Sequence, residues 1–359
     1  MYRQNPHILP QIDTSQGIEF GIYTLGEWIA NPHTGKRIPA SQRIQEMIEL
    51  GKLAEEAGMD IFLVGESHQE YFVSQSHMVI LSAIAAMTER IKLASGATII
   101  GAADPVRVFE DAATLDLISN GRMELLAGRA SRFGIFELFG YDLDDYEALF
   151  DEKLALLLEI NENERVTWEG QFRAPLNDIA IYPRPENESG GLPIWRAFGG
   201  SKESAIAAGT IGLPIYQAHV SGDAASWAEN IQAYRTAAEN AGFNPAELPV
   251  TASGFLYTRE DGNQAMREAY PHLRDGLKLA NDYAFPEQDF QQAKDPHSVL
   301  NVGEPQLIID KILHQHELFD NQRFVAQIDF GGIAFDDVKR TLDILGETIV
   351  PAVKKHTRK

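Results

Sequence analysis

Two rhythms of hydrophobic and polar positions alternate along the chain. Short, nearly continuous apolar runs such as Ile61-Phe62-Leu63-Val64 have the length of buried strands. Between them lie longer stretches in which apolar residues recur at helical spacing, as do Ile44, Met47, Ile48, Leu50 and Leu53. The pattern predicts a first strand over 18–23 and a helix from Ser41 that Gly58 closes. Strand 61–64, helix 75–88, strand 91–94, helix 105–118, strand 123–127 and helix 144–160 follow, with Pro105 suited to the first turn of its helix. The rhythm breaks over 163–192, where Trp168-Glu169-Gly170, several prolines and Gly190-Gly191 predict a hairpin-like insertion. It resumes with strand 193–197, a helix from Ser201, strand 213–216, helix 223–240 and strand 249–257. A second break, 259–300, is rich in Asp, Gln, Tyr and Pro and reads as irregular. Helix 305–316, strand 324–330 and a last helix carrying Val338, Leu342, Leu345 and Ile349 complete the pattern.

Strands alternating with helices imply a parallel sheet covered by helices. Repeated across this chain, the unit predicts an α/β fold of the (β/α)8 TIM-barrel type, with insertions after the fourth helix and after strand 7. We expect a single domain over residues 1–359, with its insertions at about 163–192 and 259–300. An open doubly wound sheet is the competing architecture. It loses because no Gly-x-Gly-x-x-Gly follows the first strand.

Charge and composition narrow the chemistry. The formal net charge is −21, and so acidic a surface repels phosphate backbones and anionic lipid, which sets nucleic acid and membranes aside as partners. Cysteine is absent, which removes disulfides, thiolate nucleophiles and thiolate-ligated metals. The stretch Met1-Tyr2-Arg3-Gln4-Asn5-Pro6-His7 has no apolar signal core, and no run reaches membrane-spanning length, so the expectation is a cytoplasmic protein.

Barrel enzymes carry their active sites at the C-terminal ends of the strands. Those ends hold Tyr23, Glu66-Ser67-His68, Gly96-Ala97, Gly128-Arg129-Ala130-Ser131-Arg132, Phe198-Gly199-Gly200-Ser201, Gln217-Ala218-His219 and Asp329-Phe330-Gly331-Gly332. The Gly-Gly-Ser turn lets a ligand approach the backbone, and the free amides of the helix opening at Ser201 favour an anion such as phosphate. A plain turn with a serine cap is the equal alternative from this motif alone. Arg129 and Arg132 add guanidinium groups that match phosphate oxygens, against the alternative of ion pairing with surface carboxylates. Gly331-Gly332 is a rival phosphate turn. His68 suits general acid–base work near neutrality, or else a structural hydrogen bond. Glu66, His68 and His219 can be drawn as metal ligands, but no characteristic metal-ligand spacing supports them, and we expect no metal. A serine-hydrolase Gly-x-Ser-x-Gly elbow is also absent.

An ordered set of segments resembles the bacterial-luciferase-like family of flavin-dependent monooxygenases and oxidoreductases. It comprises Ala54–Asp60 leading to Gly65-Glu66-Ser67-His68, Ile91–Gly96 leading to Asp104-Pro105-Val106-Arg107, Thr114–Arg122 followed by Gly128-Arg129, Leu192-Pro193-Ile194-Trp195 before the glycine turn, and Gln327–Gly332. The resemblance implies a (β/α)8 barrel that uses reduced FMN as cosubstrate with molecular oxygen, or in some branches a deazaflavin for dehydrogenation. It implies that Arg129 holds the FMN phosphate with the backbone of Gly199, Gly200 and Ser201, and that Phe198 also belongs to the cofactor site. Gly96 and Ala97 would pack the isoalloxazine ring, beside a non-proline cis peptide. His68 and Tyr23 would be the catalytic proton donors or acceptors toward a small organic substrate. It further implies a separate flavin reductase as partner and a homodimer. Luciferases carry two histidines after the glutamate, the first of them catalytic; here Ser67 stands at that position and only His68 remains, which speaks against the luciferase reaction itself. A flavin-binding protein without catalysis is the reading from outside enzymology.

Overall fold

The computed structural model describes residues 8–130 and 134–359; Arg132, one of the cations weighed above, lies outside the described residues. Eight parallel strands form the core sheet: β1 (Glu19–Thr24), β2 (Ile61–Val64), β3 (Lys92–Ser95), β4 (Met123–Gly128), β5 (Ile194–Phe198), β6 (Ile215–His219), β7 (Val250–Thr258) and β8 (Arg323–Gln327). Each pairs with the next, and β8 pairs back onto β1 with Glu19 opposite Arg323 and Tyr23 opposite Gln327, so the sheet is a closed barrel with no free edge. The connecting helices are α1 (Ala40–Glu56), α2 (His77–Ala85), α3 (Pro105–Ser119), α4 (Tyr146–Glu162), α5 (Lys202–Ile211), α6 (Ala224–Asn240), α7 (Pro305–Phe319) and α8 (Phe335–Ile344).

The period-2 alternation of a strand divides the apolar residues into two cores. Ile61, Leu63, Ala94, Leu126, Trp195 and Val325 point inward and fill the barrel. Their neighbours Phe62, Val64, Leu93, Leu125, Ile194 and Phe324 point outward under the helices. Both faces are covered, which explains why the strands read as continuous apolar runs. The barrel floor is ionic instead. Arg323 donates to Glu19 (2.8 Å) and to both oxygens of Glu124 (2.7 and 2.9 Å), Lys92 reaches Glu19 at 2.5 Å, and the Trp195 indole donates to Glu124 at 2.8 Å.

The first break in the rhythm is the expected hairpin: Arg165–Trp168 pairs antiparallel with Leu176–Ala180. The second departs from expectation. Gly262–Asn281 is a 20-residue helix whose cap Asp261 accepts from the Asn263 amide. It buries Ala265, Met266, Ala269 and Leu273 against the barrel, while Pro271 and a mostly polar outer face obscure that spacing in the sequence. Among the described residues no helix is long and apolar enough to cross a membrane.

Candidate active site

Tyr23, Glu66, His68, Gly96, Ala97 and Arg129 line one cavity, together with Leu25, Ser67 and Ile99. They come from the ends of β1 to β4, which neighbour one another in the sheet, so barrel closure alone brings together residues far apart in sequence. The Gly96–Ala97 peptide is cis, as the family resemblance implies.

Glu66 organises one wall. Its carboxylate accepts from the Ile99 amide at 2.7 Å and meets His68 Nε2 at 2.7 Å, while His77 Nδ1 lies 4.0 Å away. His77 in turn contacts the Thr98 hydroxyl at 2.9 Å. Burial pushes the Glu66 pKa up, but the bond to His68 and the nearby His77 outweigh it and hold the carboxyl below its ordinary value. Burial lowers the His77 pKa. The edge of Phe139, half-exposed on the helix Gly134–Phe139, stands against the His68 ring at a centroid distance of 5.0 Å. A fixed carboxylate behind one imidazole nitrogen orients the ring and sets which nitrogen carries the proton, the arrangement used by acid–base histidines.

Arg129 follows β4, and Gly199 follows the adjacent β5, where Ala127 pairs with Arg196. The two segments expected to meet an anion are therefore neighbours at one end of the barrel. The Arg129 guanidinium bonds Glu147 at 2.6 Å, a carboxylate on the exposed side of α4, and stacks over Phe150. At the next strand end, Gly200 adopts φ +112°, and a Cβ there would lie 2.9 Å from the Trp227 ring, so both backbone and space demand glycine. Ser201 caps α5 by accepting from the Ser204 amide at 3.2 Å. A Cβ on Gly199 would meet open space. Among the described residues, the amides of Gly199, Gly200 and Ser201 donate no hydrogen bond. An arginine and a glycine turn at a helix N-terminus, following neighbouring strand ends, are residue types that fit a phosphate-bearing cofactor. Phe198 differs from the others: its side chain is buried in the outer core, so only its main chain faces this site.

The remaining candidates lie elsewhere. His219 is buried behind β6 against Trp227 and Phe319 and does not join Glu66 and His68. Among the described residues no group of acidic and histidine side chains is arranged to hold a metal. The Gly331-Gly332 turn is filled by protein, with the backbone of His272 and of Ile29-Ala30 where side chains would otherwise stand. Two residues beside these segments, His77 and Arg196, were not among the candidates that the sequence offered. His77 stands in a polar helix start with nothing to distinguish it. Arg196 had a signal that went unused: a cation inside the apolar run Pro193-Ile194-Trp195-Arg196-Ala197-Phe198.

Comparison with known proteins agrees with this architecture. The sequence model of the luciferase-like monooxygenase family matches residues 18–322. N-acetyl-S-alkylcysteine monooxygenase from Bacillus subtilis is 30% identical over 52% of this chain and 54% of its own length. F420-dependent glucose-6-phosphate dehydrogenase from Nocardia farcinica is also 30% identical, over 44% of this chain and 48% of its own. The chain thus spans about half the length of these two relatives. The crystal structure of monooxygenase RslO1 from Streptomyces bottropensis superposes with a TM-score of 0.79 at 26% identity, covering 93% of this chain and 99% of that one.

Proposed function

Because the chain belongs to the luciferase-like monooxygenase family, we propose that this oxidoreductase is an FMN-dependent monooxygenase acting on a small organic substrate. The observation that supports it is that Arg129 and the Gly199-Gly200-Ser201 turn, whose amides donate no hydrogen bond among the described residues, follow neighbouring strands, and that Arg129 lines a cavity with Tyr23, His68, Gly96 and Ala97. When bound, reduced FMN would supply the two electrons with which molecular oxygen gives one atom to the substrate and the other to water. The chain's residues bind and orient. Arg129 and the α5 amides would hold its phosphate. Gly96 and Ala97 support the flavin ring. His68, fixed by Glu66, and Tyr23 hold or pass the proton at the substrate.

A separate reductase would deliver the reduced flavin, and a homodimer is part of the reading. The exposed apolar residues Val79, on α2, and Met87, just beyond it, support that assembly. The alternative is a deazaflavin-dependent dehydrogenase, favoured by the relative from Nocardia farcinica that carries that cofactor in its name.

Titration with FMN, reduced FMN and the deazaflavin F420 separates these readings. The monooxygenase reading expects FMN to bind and oxygen to be consumed in the presence of reduced flavin and substrate. Arg129→Ala should weaken FMN by roughly tenfold or more, the loss of a charge-assisted hydrogen bond. An FMN affinity unchanged within about twofold removes Arg129 from the site, and exclusive binding of F420 selects the dehydrogenase.

A further inference from the structure

Four arginines are buried among the described residues: Arg43, Arg196, Arg259 and Arg323. Burying a guanidinium is costly unless an anion accompanies it. Arg43 pairs with Asp329 at 2.5 Å, Arg259 with Glu268 and Asp337 at 2.9 and 2.8 Å, and Arg323 with Glu19 and Glu124. Arg196 is the exception. It is 3% exposed, makes no ion pair among the described residues, and its Nη2 atom finds no acceptor there.

Its surroundings sharpen the imbalance. Trp195 and Ala197 face the barrel interior, so Arg196 projects outward toward α4 on the same face as Ala127 and, two residues on, Arg129. The guanidinium carbons of Arg196 and Arg129 each lie 4.8 Å from the centroid of the Phe150 ring. Two cations therefore share one aromatic side chain in a buried corner. The carboxylates near them, Glu147 and Asp151, sit on the exposed side of α4, and only Glu147 forms a pair, with Arg129. Burial and then the charge of Arg129 lower the Arg196 pKa to about 10, which leaves the guanidinium charged at neutral pH. Three residues after Arg196 come the amides of Gly199, Gly200 and Ser201, which donate no hydrogen bond among the described residues. A buried cation with no ion pair among the described residues and a second cation beside it lack the same thing, a concentrated negative charge; at the nearby α5 N-terminus the exposed Glu203 carboxylate engages the Ser201 hydroxyl at 2.9 Å and leaves the Gly199 and Gly200 amides to another acceptor.

We propose that Arg196 is the second guanidinium of the anion site at the ends of β4 and β5, and that it selects a doubly charged phosphate monoester over a singly charged phosphodiester. The inference rests on the phosphate site of the proposed function and deepens it. A terminal phosphate carries close to two charges near neutrality, whereas a diester carries one, and two arginines reward the difference. FMN ends in a monoester, so Arg196 acts as a specificity residue for that cofactor.

The test uses the full chain and four probes at constant ionic strength: methyl phosphate, dimethyl phosphate, FMN and riboflavin. Thermal shift reads the first two and flavin fluorescence the others, in wild type, Arg196→Met and Arg196→Lys. Wild type should be stabilised by methyl phosphate and much less by dimethyl phosphate. Arg196→Met should bind methyl phosphate and FMN at least roughly tenfold more weakly, bind riboflavin as wild type does, and melt no lower without ligand, because an uncompensated buried charge has gone. A purely structural arginine gives the opposite pattern, a lowered melting temperature with unchanged anion affinity, and that overturns the proposal. Should Arg196→Met fail to fold, Arg196→Lys decides: it keeps the charge and should still prefer methyl phosphate while binding it several-fold more weakly, whereas wild-type affinity for both anions overturns the assignment. Failure of wild type to bind FMN while it still discriminates the two methyl esters refutes the flavin reading and leaves the anion site standing.

Discussion

The buried charges behave according to whether their partners came with them. Arg43 on α1 and Asp329 beyond β8 join segments from opposite ends of the chain, and the Asp329 carboxylate also accepts from the Thr24 hydroxyl at 2.6 Å. Removing one member strands the other in low dielectric, so Asp329→Ala should cost roughly 3–5 kcal/mol. Replacing both with apolar residues, Arg43→Met with Asp329→Leu, should restore most of that loss, because the desolvation penalty disappears along with the attraction. Urea unfolding of the two single variants and the double variant measures the cycle, and simple additivity would mean that the pair is not coupled. Nothing in the sequence marks Arg43 or Asp329 as partners. Long-range ion pairs carry no local pattern, which is also why the missing partner of Arg196 became visible only in three dimensions.

Elements were legible where one physical rule dominates. A strand covered on both faces must be apolar throughout, and a barrel helix must bury a stripe, so β2, β4, α3 and α4 follow directly from the periodicity. The strand-end rule then gathered Tyr23, Glu66, His68, Gly96 and Arg129, since closure fixes which ends share a face. The helix Gly262–Asn281 obeys a weaker rule. Its buried stripe is made largely of small residues, and its polar face and Pro271 resemble loop composition. Its docking explains the glycine pair after β8, which the sequence offered as a rival phosphate turn. Gly331 has φ +60°, and any Cβ on it would overlap the carbonyl of His272, whose ring bonds the Gly331 carbonyl at 2.7 Å. Gly331→Ala should therefore destabilise by roughly 1–3 kcal/mol from backbone strain alone, with protease cleavage rising first within 259–300. Wild-type resistance in that segment would show that the helix docks without the glycine.

At the scale of the whole molecule, two opposing effects meet on acidification. The net charge of −21 means that adding protons relieves self-repulsion, which favours the folded state. Against this stand buried histidines held toward the neutral form, His77, His219 and His272 among them. Burial lowers the His219 pKa to about 3; burial, opposed by the hydrogen bond at the Gly331 carbonyl, lowers that of His272 to about 4. Both folded values lie below the ordinary 6.5, so the unfolded chain takes up more protons as the pH falls. The stability they contribute is complete above pH 6.5 and is lost as the pH drops toward their folded values. At pH 5 each group has forfeited about 2 kcal/mol. Surface repulsion acts over distances that physiological salt screens, whereas burial is indifferent to salt. The histidines should therefore win: the free energy of unfolding should fall between pH 6.5 and 5, with a slope that high salt leaves intact and that His272→Gln reduces. Chemical denaturation across that range decides it. Stability that stays level or rises on acidification would show that the global charge dominates.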